Sequence, residues 1–159
     1  MCARSVVTFA LLLLAVSGCS DDKDSGSVAA ASCTPTGATG AGQAQVDGVT
    51  VQWADVVWSE AGDGVQVTTE ASGEHRLTLV ASGALAALRA GDADIEVALD
   101  SGGLEGFALL YAGSDSHSSK DGGGSLVLSG LDGDVVSGCF SFDTDGPAVV
   151  DGTFQARAL

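Results

Sequence analysis

From Gln43 onward, apolar and polar residues alternate with a period of two rather than 3.6. In HRLTLVAS, Leu77, Leu79 and Ala81 share one face, while Arg76 and Thr78 share the other. DIEVALD sets Ile95, Val97 and Leu99 against Glu96 and Asp100. SLVLSG groups Leu126 with Leu128, and VVSGCFSFD groups Val136, Phe140 and Phe142. VVDGTFQARA sets Val150, Phe154 and Ala156 against Asp151, Gln155 and Arg157. Such alternation marks half-buried antiparallel strands. Windows of this kind lie near 43–47, 49–59, 64–71, 75–82, 93–100, 105–112, 124–131, 134–143 and 148–158. With turn signals between them, they predict an all-β domain: an antiparallel β-sandwich or partly closed barrel of about eight or nine strands. Trp53 and Trp58 are an odd number of positions apart, so on one unbroken strand they would face opposite ways, and a bulge or break is expected between them. GALAALRA, Gly83 to Ala90, is the one helical candidate, short enough to be a single turn or a crossing loop. DSHSSKDGGG, from Asp115, reads as a mobile loop on composition.

The front of the chain follows a different pattern. MCARSVVTFALLLLAVSG has one positive charge, Arg4, and then an apolar run from Val6 to Val16 broken only by Thr8. The run is too short for a stable membrane span, which needs about 20 residues, and its flanks fit the hydrophobic region of a secretory signal. It ends Val16-Ser17-Gly18-Cys19. This resembles the bacterial lipobox, an aliphatic residue and two small ones before an obligatory cysteine. The resemblance implies that Cys19 gains a diacylglycerol thioether, that the chain is cut before it, and that the new amine is acylated. More than one acyl chain is what stable anchoring requires. The plainer alternative is an ordinary secretory signal with a chance cysteine. Ser20 after the cysteine, in place of Asp, implies by the same resemblance the outer membrane of the bacterial cell envelope, on its periplasmic side or at the cell surface. Ser20 to Gly42 is small, polar and rich in Gly, Ala, Ser and Thr, the composition of a flexible tether. The expected organisation is a lipoprotein signal peptide (1–18), an acylated tether (19–42) and a β-sandwich domain (43–159).

Charge narrows the partners. The 159 residues carry a formal net charge of −15. Loss of residues 1–18 removes Arg4 and leaves five basic side chains against 21 acidic ones, a net of −16. Phosphate neutralisation needs basic surface, so nucleic acid is excluded as a partner, and electrostatic docking on anionic lipid is disfavoured. Asn is absent, and Asp-Gly pairs stand where tight turns are expected: 47–48, 63–64, 121–122, 132–133, 145–146 and 151–152. Much of the acidity therefore reads as turn chemistry. Cys2 falls in the discarded segment and Cys19 takes lipid, which leaves Cys33 and Cys139. In an exported chain such a leftover pair suggests one disulfide, tying the start of the folded part to a strand near its end. Two free thiols or a metal pair are the alternatives, and the latter lacks CxxC or Cys/His spacing.

DGVTVQWADVVW, GSLVLSGLDGDVVSGCFSFD and VVDGTFQARAL together resemble small uncharacterised bacterial lipoproteins with an all-β domain, which close on "sGtFsf … v.dGtF.a". The likeness is loose over the domain and closer over 124–159. It implies structural motifs, with Gly138 and Gly152 before Phe140 and Phe154 serving sheet packing, and it brings no catalytic residues.

Several constellations have a bland reading beside a sharp one. GSDSHSSK, Gly113 to Lys120, gathers Ser, His, Asp and Lys, but a triad needs groups on separate rigid elements. It half-matches a phosphate loop, yet Asp121 follows the lysine and no helix follows. Asp132/Asp134 and Asp143/Asp145 resemble calcium-loop fragments, but they sit at opposite ends of one strand, roughly 30 Å apart, and calcium wants six to eight oxygens. His75 and His117 have no partner at metal-ligand spacing. Trp53, Trp58 and Tyr111 suggest a sugar-stacking platform, although in a chain so poor in aromatics at least one Trp is expected to fill the core. The expectation is a non-enzymatic envelope module, held to the membrane by its lipid and binding or spacing envelope proteins, with no cofactor, metal or catalytic residue. The alternative is a glycan- or calcium-binding module, and last an envelope hydrolase.

Overall fold

The computed structural model describes residues 33–35, 37–69, 75–100, 102–103, 105–120, 122–144 and 149–159. The signal-like segment, Cys19 and most of the tether lie outside the described residues. These residues form eleven strands and one helix: β1 (Ala41–Val46), β2 (Val49–Trp53), β3 (Val56–Ala61), β4 (Gly64–Thr69), β5 (His75–Ala81), α1 (Ala84–Ala90), β6 (Ile95–Leu99), β7 (Gly106–Ala112), β8 (Asp115–Ser118), β9 (Gly124–Asp132), β10 (Val135–Asp143) and β11 (Val149–Ala158).

Eight strands close a ring in the order β10-β9-β6-β7-β5-β4-β3-β11, with β11 returning to β10. Most contacts are antiparallel, as the alternation demands. Two are parallel and very short: Leu99↔Gly106 joins β6 to β7, and Arg157↔Val57 with Ala158↔Trp58 joins β11 to β3. The ring is therefore two antiparallel sheets joined along two narrow parallel seams, which explains why the alternation reads equally as sandwich or barrel. The edge of β11 is shared, with β1 along 150–155 and β3 at 157–158. Gly40 fills the step between them: its N–H donates to the Gln155 carbonyl at 2.6 Å, and its carbonyl accepts from Val56 N at 2.7 Å. β2 extends outward from β1, and β8 from β7.

Two expectations need correction. The window 49–59 is two strands, broken at Ala54-Asp55, so the expected break between the tryptophans is present and both rings reach the core side. The expected loop from Asp115 begins as strand β8, paired to β7. These raise the count from eight or nine to eleven. The sheet also starts at Ala41, two residues ahead of the expected 43.

The interior is filled by Phe140, Phe142, Phe154, Leu77, Leu79, Leu110, Leu126 and Leu128 among others, all essentially without solvent contact. The two Gly-x-Phe motifs explain each other. β10 and β11 pair so that Gly138 lies opposite Phe154 and Phe140 opposite Gly152. A Cβ on Gly152 would run into the tip of the Phe140 ring, and one on Gly138 would approach the Phe154 ring at 2.8 Å. Each ring lies where the facing side chain would be, covering a glycine that alone would weaken the strand. The expected packing role of these glycines is therefore present.

α1 packs Ala84, Leu85 and Leu88 against the core. Gly91, in the left-handed conformation, ends it: Gly91 N donates to Leu88 O and Asp92 N to Ala87 O, the paired bonds of a Schellman motif. Arg89 in the last turn pairs with Glu60 of β3.

Among the described Asp-Gly pairs, one is the two-residue turn it resembles. Asp47 and Gly48 have φ of 50° and 78° and join β1 to β2, as in a type I′ hairpin. In the β3–β4 and β9–β10 hairpins the turn residues are Gly62-Asp63 and Gly133-Asp134, with the glycine first at φ 66° and 58°. Asp151-Gly152 is no turn: it lies inside β11. Asp121 and the pair 145–146 fall outside the described residues.

Candidate functional site

Cys33 meets the sheet on the outer face of β10. Because Phe140 and Phe142 point inward, Cys139, next to Phe140 and opposite Thr153 of β11, points to the outer face. Cys33 and Cys139 are disulfide-bonded, with Cα atoms 5.6 Å apart. Cys33 Sγ also lies 3.2 Å from Ser129 Oγ on β9. Beyond it, Pro35 and Thr39 border a hollow of about 280 Å³ whose other walls are Asp132, Val135, Ser137 and Gln155. Gln155 Nε2 donates to the Gly37 carbonyl at 3.1 Å, so the last tether residues are tied to the β11 surface before β1 begins.

Beside this junction the same face holds a cleft of about 230 Å³, lined by Gln43 and Gln45 of β1, Asp151 and Thr153 of β11 and Cys139 of β10. Alternation places all five on the outer face, opposite Ala44, Phe140 and Phe154. Gln45 Nε2 donates to Thr50 Oγ1 at 2.6 Å. Thr153 Oγ1 is buried and has no hydrogen-bond partner among the described residues. The cleft offers amide, carboxylate and hydroxyl groups suited to a small polar ligand, in a volume below the 300 Å³ or so at which small-molecule pockets usually begin.

The other candidates disperse. Trp53 is 8 % exposed, and its Nε1 donates to the His75 carbonyl at 3.1 Å. Trp58 packs on the core, and its Nε1 donates to the Asp134 carbonyl at 2.9 Å. Tyr111, on β7, has Arg76 over its ring at 4.7 Å. The three do not make one exposed platform. Within GSDSHSSK, Ser119 is fully buried, and its hydroxyl accepts from Ala108 N at 3.0 Å, a structural duty. His117 lies on β8 opposite Leu110. His75 begins β5 with Nδ1 buried and unpartnered among the described residues. Asp132/Asp134 and Asp143 lie at opposite ends of β10, and no group of three His, Cys, Asp or Glu converges on a metal-sized site among the described residues. Among those residues, no helix is long and apolar enough to cross a membrane.

Two features escaped the sequence reading. Gly113-Ser114, with Gly113 at φ 65°, turns β7 into β8, and the Gly-Ser pair between two strands was its signal. The cleft had none, because its walls come from strands more than 100 residues apart. No protein-family model matches the chain, and no curated protein matches it.

Proposed function

We propose that this chain is a bacterial envelope lipoprotein whose acylated Cys19 holds the β domain at the membrane, outer-membrane placement following from Ser20. The domain acts as a non-enzymatic module that binds or spaces other envelope components. The supporting observation is the Cys33–Cys139 disulfide. A bond of this kind persists in exported proteins and not in a reducing cytosol. It also sets the exit point of the tether: about 14 residues separate Cys19 from Cys33, a reach of at most about 50 Å from the membrane. The Gly-x-Phe pairs and filled core belong to packing, consistent with a surface that binds rather than an interior that reacts. The test is Cys19→Ser in the native host. The variant should leave the membrane fraction and lose incorporation of labelled palmitate; unchanged anchoring and labelling would overturn the reading.

The cleft on this face favours one alternative, binding of a glycan through Gln43, Gln45 and Asp151. Saturation-transfer NMR with envelope oligosaccharides, repeated on Gln43→Ala, would support it only if the signal disappears in the variant.

A further inference from the structure

We propose that the free edge of β2 is a docking site for an extended segment of another protein, one with alternating apolar residues and a basic residue at each end. β2 reads VTVQW, and no described strand pairs with its outer edge. In the β1–β2 register, Val49, Val51 and Trp53 direct their main-chain groups toward β1, so those of Thr50 and Gln52 face outward, and both residues are exposed. Natural sheets blunt such edges with Lys, Pro, bulges or inward charges. β8, the other strand that hangs off the ring, is short and carries Asp115 and His117, with Lys120 just beyond. β2 has no charge, no proline and no bulge, and Val49 on its inward face is 64 % exposed.

The ends of the edge say what fits it. Asp47 and Asp55 each stand two residues beyond β2, equally far from its middle residue Val51, and both are exposed. A second copy pairing antiparallel through Thr50 and Gln52 would bring its Asp55 end to the Asp47 end of the first. Parallel pairing would set Asp47 against Asp47. Opposed like charges destabilise a strand pair, and each copy already carries a large negative charge. A strand with Lys or Arg at both ends meets a carboxylate at each end in either direction. Strand addition of this kind takes affinity from main-chain hydrogen bonds and selectivity from alternate side chains. An apolar residue above Val49 would cover it.

This gives the proposed binding role its docking edge and does not depend on the acyl anchor, so failure of the Cys19→Ser test leaves it standing. The experiment titrates full-length protein in detergent against two fluorescein-labelled peptides, KSVTVTVSK and ESVTVTVSE, by fluorescence anisotropy. The first should bind at least tenfold more tightly. Thr50→Pro removes an outward N–H and spares the main-chain ladder to β1, losing only the side-chain bond from Gln45, and should weaken the first peptide at least tenfold. Asp47→Asn with Asp55→Asn should narrow the difference between the peptides to what the overall negative charge contributes; an unchanged difference overturns the proposal, which keeps it testable should Thr50→Pro misfold. Equal binding of both peptides by the unaltered protein, or no binding of the first, overturns the proposal. So does a dimer in sedimentation that Thr50→Pro dissolves, which would assign the edge to a second copy.

Discussion

Replacing the disulfide, Cys33→Ala with Cys139→Ala, should cost about 3 kcal/mol, well short of what its span suggests. The cysteines are 106 residues apart. Closing a loop of that size in the unfolded chain is worth about 4.8 kcal/mol in the chain-entropy description. The folded chain gives part of this back. Among the described residues after Cys33, Gly37 is the first hydrogen-bonded to the sheet, through Gln155, which sets a span of about four positions as the stretch the bond holds closed. Holding that stretch closed costs the native state about 1.9 kcal/mol on the same scale. The difference, about 2.9 kcal/mol, depends only on the ratio of the two loop lengths. Release as far as Ala41, where β1 begins, would lower it to about 2.3 kcal/mol. Urea unfolding followed by the fluorescence of Trp53 and Trp58 measures it, with separate m values, because the uncrosslinked denatured chain is less compact. A loss near 5 kcal/mol would mean that Cys33 keeps its place unaided. A loss under about 1 kcal/mol would require freeing roughly 30 residues or more, well into the sheet. Either result refutes the reasoning.

Gly152→Ala should destabilise by at least about 2–3 kcal/mol, since its Cβ meets the Phe140 ring and stands 2.6 Å from the Gln43 carbonyl. Gly48→Ala, with open space around it but φ of 78°, should cost only about 1 kcal/mol in the same urea assay; equal costs would refute the crossed-ring account. Trp58→Phe keeps the ring's packing but leaves the Asp134 carbonyl with Ala158 N as its partner, at a cost of about 1 kcal/mol. Amide exchange at Ala158 should quicken in that variant, and unchanged exchange would mean that Trp58 does not hold the β3–β11 seam.

What was legible in the sequence was whatever a residue's own neighbours determine. Leu77, Leu79 and Ala81 announce a half-buried strand by spacing alone, and the odd offset of Trp53 and Trp58 announces a break. The disulfide was expected from counting cysteines, with Cys2 and Cys19 set aside by the lipobox resemblance. β8 was hidden because DSHS, on an exposed edge, has no apolar face to alternate with. Asp151-Gly152 looked like a turn because the reason for its glycine, the Phe140 ring, comes from another strand. The parallel seams rest on one and two residue pairs, too little to leave a pattern. The cleft depends on Gln43 lying opposite Thr153, which no local feature signals.

The pairing of β1 with β11 also sets an order of events. Ala41 lies opposite Gln155, and Cys33 is joined to Cys139. A chain made from its N-terminus can form the β1–β2 hairpin at once, through the local turn at Asp47-Gly48. The other side of β1 must wait until more than 100 further residues exist, and Cys33 stays a thiol until β10 arrives. Non-local pairing of this kind slows folding and leaves unpaired strands exposed to wrong partners in the interval. The strand β1, made early, is thus among the last to be secured, and until then its outer edge is open to whatever else can pair with it.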